Sequence, residues 1–265
     1  MQDRYVGDVG DFGKYGLLRR LCGHFDSLPP LNLGVIWYKI PNECHNNDGS
    51  KIQYLEAKNA HAFDVCDPEL YTALRALVLT GRRSIKDIAS AKILPHDTIF
   101  YDRVLSFLPG STSAERLAHR GQWIGDGLRA TEDCDIVFVD PDNGLECCSV
   151  RPASRFGPKY SFQSELWPVI ERGQTLVAYH HTARQAPADV QIRGRLTRLA
   201  DGFPRLRKYV VALRFRRGNS RAFLIVPSVR HQDYVWRRIE SLMASRWRQH
   251  FDLVTLSRTL APVAC

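Results

Sequence analysis

Asp140-Pro141-Asp142-Asn143-Gly144-Leu145-Glu146 places three carboxylates and an amide within seven residues, directly after the apolar run Ile136-Val137-Phe138-Val139. The β-branched and aromatic character of that run predicts a strand covered on both faces, as in a parallel sheet. Ligands of open parallel sheets bind at the carboxyl ends of the strands. Asp140, Pro141, Asp142 and Asn143, with Glu146, are therefore the first candidates for catalysis. An Asx turn would account for Pro141, which fixes φ, and for Gly144, which allows positive φ, but not for three carboxylates. Two chemistries use such a loop. In one, Asp140 accepts a hydrogen bond from the amino group of a nucleobase beside a methyl donor. In the other, the carboxylates hold Mg2+ or Mn2+, which activates water for phosphodiester cleavage.

Other side chains fit around this loop. Tyr179-His180-His181 ends the next predicted strand, and because neighbouring residues alternate faces, one histidine turns to the cleft as general base or metal ligand. His180 is the candidate. Asp102, after the predicted strand Asp97–Tyr101, is placed to accept from a ribose hydroxyl. Lys159 and Tyr160 can reach back over the cleft. The seven cysteines are scattered without paired metal-ligand spacing. They read as reduced thiols, with adjacent Cys147 and Cys148 the reactive option.

The segment Gly7-Asp8-Val9-Gly10-Asp11-Phe12-Gly13-Lys14-Tyr15-Gly16 is the second unusual stretch. Its glycines allow close approach of backbone to a ligand, and Asp11 is placed to cap the helix predicted over Phe12–Phe25.

These parts must be held by a scaffold. Leu33–Tyr38, Asp97–Tyr101, Asp135–Val139 and Thr175–Tyr179 read as strands alternating with helices near 68–79, 85–93, 113–129, 164–171 and 190–199. Tyr209–Phe215 and Ala222–Val226 read as a closing hairpin, and Asp233–Trp247 as a final helix. The order predicts one α/β domain over 1–265, a doubly wound, mostly parallel Rossmann-like sheet of the methyltransferase type with an antiparallel C-terminal hairpin.

The segment Val6–Tyr15 resembles the Ala-Gly-Asn-His-Ala-Asp-Val-Leu-Lys-His segment of the bacterial 23S ribosomal RNA adenine-N6 methyltransferases, matching it at Gly7, Asp11 and Lys14. Asp140-Pro141 falls where that family carries Asp-Pro-Pro-Tyr, and Asp142 and Asn143 stand in place of its second Pro and Tyr. The family's glycine-rich loop after the first strand is replaced by Tyr38–Glu43, with Asp48-Gly49-Ser50 the nearest glycine feature. The resemblance implies S-adenosylmethionine as cofactor, Gly7, Asp8, Asp11, Lys14 and Tyr15 in its pocket, and Asp140 receiving the target amine's hydrogen bond.

The formal net charge is +9, and Arg184–Arg248 holds 16 Lys and Arg against 4 Asp and Glu. A basic region of this kind suits a nucleic-acid partner, and a chain that only binds it, a non-catalytic nucleic-acid-binding module, is the alternative to either chemistry. No apolar run is long enough to span a bilayer and the start has no signal-peptide pattern, so a cytoplasmic enzyme without membrane contact is expected.

Overall fold

The computed structural model describes residues 1–24, 28–44, 49–182 and 186–256. Phe25, Asp48, Arg184 and Cys265 lie outside them. The central feature is a seven-stranded sheet in the order β2-β1-β3-β6-β8-β7-β9. Its members are β1 (Leu33–Trp37), β2 (Ile99–Tyr101), β3 (Ile136–Asp140), β6 (Thr175–His181), β7 (Val211–Phe215), β8 (Arg221–Val226) and β9 (Phe251–Thr255). The pairings β2·β1, β1·β3 and β3·β6 are parallel, and β6·β8, β8·β7 and β7·β9 are antiparallel. Two short strands, β4 (Gly144–Leu145) and β5 (Tyr160–Ser161), pair separately beside the end of β3.

Alternation along the strands divides the core into two layers. Val35, Trp37, Ile136, Phe138, Val177 and Phe223 belong to one apolar cluster, and Ile36, Val137, Val139, Leu176, Ala178 and Leu224 to the other. The first is covered by α1 (Val9–Cys22), α2 (Ala57–Asp64), α3 (Pro68–Leu79), α4 (Ile85–Ser90) and α8 (Gln232–Ala244). The second is covered by α5 (Ser113–Ala130), α6 (Gln163–Glu171) and α7 (Ala188–Gly202). Every residue of β3 is buried, as its unbroken apolar run requires of a strand packed on both faces.

Helix α1 begins earlier than the sequence suggests. Asp8 is extended and its side chain accepts from the Gly10 N–H at 2.7 Å, so Asp8 is the cap and Asp11 falls in the first turn. The glycines of α1 face protein. A Cβ on Gly13 would lie 2.5 Å from the Phe215 ring, and one on Gly16 would lie 2.1 Å from Trp247. They let the helix lie close against β7 and the turn after α8, which places Lys14 under the end of β3.

A methyl group at residue 16 is therefore overpacking in a buried contact. Gly16→Ala is expected to lose about 1–3 kcal/mol in urea unfolding, and an unchanged midpoint would contradict this packing.

Candidate active site

A cavity of about 180 Å3 opens at the carboxyl ends of β3 and β6. Its walls are Asp8, Asp11 and Lys14 from the start of α1, residues 140–143 after β3, Tyr179 and His181 from β6, and Lys51, Asn219 and Arg221.

The innermost group is Lys14. Its Nζ lies 2.9 Å from Asp11 Oδ1 and 2.7 Å from Asp140 Oδ2, with all three side chains at most 4% exposed. It also sits 5.1 Å from the centre of the Trp37 ring, a cation–π distance. Burial opposes the ammonium charge, but Asp11 and Asp140 outweigh it and hold the Lys14 pKa above the ordinary lysine value. Burial also raises the Asp11 pKa, which Lys14 only partly offsets. Tyr15 donates from its hydroxyl to Asp11 Oδ2 at 3.3 Å, and the Gly7 N–H donates to the same oxygen at 3.1 Å. Tyr15 and Gly7 thus orient Asp11 from behind and do not line the cavity.

The remaining carboxylates of the loop diverge. Asp142 Oδ2 accepts from Gln2 Nε2 at 3.1 Å and lies 3.7 Å from Lys159 Nζ. The Met1 amine is 3.5 Å from Asp142 Oδ1 and donates to the Tyr38 carbonyl at 2.7 Å. Glu146 turns away and accepts from the Gln163 N–H at 2.9 Å. Among the described residues no three His, Cys, Asp or Glu side chains converge into a metal site. Lys159 does reach back to the loop, and its chief partner is Glu43 at 2.6 Å. Gly144 has φ 98°, and a Cβ there would lie 2.6 Å from His180 Nδ1.

Of the two histidines, His181 lines the cavity and His180 points to the opposite face. His180 Nδ1 accepts from the Leu145 N–H at 3.2 Å, and burial, then Arg195, pulls its pKa down to about 3. A neutral, buried acceptor holding β4 is its role. Alternation along β6 put the other neighbour in the site. Asp102 follows β2, two strands from β3, and does not line the cavity.

Tyr5, Lys51, Asn219 and Arg221, to which no sequence motif pointed, also line the cavity, as do Met1, Tyr179 and Gly49, the last from the glycine feature nearest the cofactor-loop position. The hairpin register held the signal for one of them, since Arg221 pairs directly with His181 across β6 and β8. Much of the basic third is occupied within the protein. Arg238 donates to the carbonyls of Arg20, Gly23 and Pro29, and Arg207, Arg214, Arg216 and Arg230 pair with Asp201, Asp189, Asp252 and Asp135. Cys147 is half-buried, and although burial raises its thiol pKa, Ser149, Tyr160 and Arg195 outweigh this and lower it.

Lys14→Met removes the cation between two buried carboxylates and is expected to cost about 3–5 kcal/mol at pH 7. A raised carboxyl pKa favours the fold below the unfolded value and loses that contribution as pH rises through the folded one. The deficit should therefore shrink on acidification through the carboxylate range. Urea unfolding of both proteins at several pH values measures it, and a deficit independent of pH would contradict the ionised cluster. No protein-family model, no curated protein and no solved structure matches the chain.

Proposed function

We propose that this chain is an enzyme in which Asp140, held by Lys14, accepts a hydrogen bond or proton from an amino group of its substrate. The observation that carries the reading is the buried Lys14–Asp11–Asp140 cluster opening on a cavity at the end of the central strand. Burying three charges costs several kcal/mol per ion, and apolar residues of similar size are often as stabilising. A cluster of this kind beside a cavity is a functional candidate on that ground. The sheet supports the same reading. A parallel set closed by a reversed strand is the arrangement of S-adenosylmethionine-dependent methyltransferases, with Asp140-Pro141 at the place of their catalytic motif. This likeness supports reading the fold as Rossmann-like and the methyl-accepting atom as a nitrogen.

S-adenosylmethionine itself does not fit the residues present. The ends of β1 and β2 are covered by the opening segment, where the Ile40 N–H donates to Met1 O at 3.0 Å, Lys39 pairs with Asp3 at 3.1 Å and Lys39 bridges to Val104. A cavity of about 180 Å3 is also below the roughly 300–1,000 Å3 of pockets that enclose drug-sized ligands. The metal-dependent reading is disfavoured because Asp140, Asp142 and Glu146 serve separate partners. A nucleic-acid base as acceptor draws only on the charge balance. Exposed Arg205 and Lys208 precede β7 at the end of the sheet opposite the cavity.

Methylamine hydrochloride is the smallest probe of the acceptor site. Titrated into 15N-labelled protein, it is expected to shift the Lys14 side-chain resonance, with affinity falling about tenfold in Asp140→Asn, the equivalent of about 1.4 kcal/mol. S-adenosylmethionine is expected to give no binding heat. Equal methylamine affinity in the variant, or micromolar binding of the cofactor, would overturn this account.

A further inference from the structure

We propose that the cavity takes a small zwitterion, with its amine against Asp140 and its anionic group, phosphate or carboxylate, against Lys51 and Arg221. The proposal rests on the acceptor role of Asp140 and adds the substrate class. Its first support is the separation of charge across the cavity. Asp140 ends β3, while Arg221 begins β8, two strand intervals away, roughly 10 Å at the backbone. Arg221 shares a face with its cross-strand partner His181, and Lys51 joins the same side by donating to Asn219 Oδ1.

The second support is the state of Arg221. Its residue is 9% exposed, yet its Nη1 is 3.6 Å from Asp8 Oδ1 and its Nε 3.3 Å from the Asn219 carbonyl. Charge-assisted bonds are normally about 2.7–2.9 Å, the length Lys14 achieves with Asp140. The guanidinium is thus buried at a cavity wall with long contacts, a geometry that an anion would tighten. Room for it comes from Gly10, where a Cβ would lie 1.1 Å from Nη1.

Charge balance selects the class. A dianion without an amine would bring like charge against Asp140 and Asp142, and a simple cation would meet Lys51 and Arg221. A molecule carrying both ends sets its amine against Asp140 and its anion against Lys51 and Arg221, two cations beside the single carboxylate of Asp8.

Calorimetric titrations of the full chain with O-phosphoethanolamine, β-alanine, inorganic phosphate and ethanolamine test this. O-phosphoethanolamine or β-alanine is expected to bind at least about tenfold more tightly than phosphate or ethanolamine, the equivalent of about 1.4 kcal/mol, and the better of the two identifies the anionic group. Arg221→Met should remove this advantage without weakening ethanolamine. Lys51→Met serves as the second variant on the cavity rim and should weaken the same ligands. Ethanolamine binding with no gain from either anionic group would overturn the zwitterion while leaving the Asp140 reading intact. Absence of binding by every amine would overturn both. Tight binding of a single-stranded oligonucleotide that competes with phosphate would overturn the small-molecule class.

Discussion

A lysine ammonium buried between two aspartates sets the terms for everything around it. Lys14 lies almost fully buried at the inner end of the cavity, and Asp11 and Asp140, within 3 Å of its ammonium, hold its charge against that burial. Removing one partner of such a group leaves an uncompensated ion in a medium of low dielectric, a far larger loss than breaking a surface pair. The cluster therefore ties α1 to the end of β3. It also presents Asp140 to the cavity in one orientation.

The rest of the architecture serves that contact. Gly13 and Gly16 bring α1 close to Phe215 and Trp247, so Lys14 reaches the end of β3. Asp8 caps the helix, and the Tyr15 hydroxyl and the Gly7 N–H hold Asp11. On the far side, His180 supports the Gly144–Leu145 strand from beneath, which keeps the loop after Asp140 in place. The reversed strand β8 adds Arg221, so the antiparallel end of the sheet supplies the basic wall opposite the acidic one.

The sequence was most legible where a pattern was continuous. The run Ile136–Val139 marked the central strand and located the cavity, and the alternation of strands with helices, closed by a hairpin, matches the observed sheet through β8. What escaped was pattern without contrast. Strand β9 alternates weakly at a sheet edge, with Leu253 partly exposed, and α2 carries few apolar residues, of which only Phe63 is buried. The carboxylate cluster showed in the composition of the loop, but its partners did not. Asp142 and Glu146 look alike in sequence, yet one meets Gln2 and Lys159 and the other caps α6. The two histidines of β6 were separable only by register, because alternation says that they differ but not which one turns to the cavity. Glycines that resembled a ligand-binding loop proved to be sites of close packing, a distinction set by what lies opposite them across the fold.

The most direct measurement is of the Lys14 ammonium itself. In 15N-labelled protein a buried, hydrogen-bonded ammonium gives a slowly exchanging side-chain Nζ correlation. That signal is expected for Lys14 to persist above the ordinary lysine pKa of 10.5 and to vanish or titrate lower in Asp140→Asn. A Lys14 that loses its proton below that value in the unaltered protein would contradict the charged cluster on which the site depends.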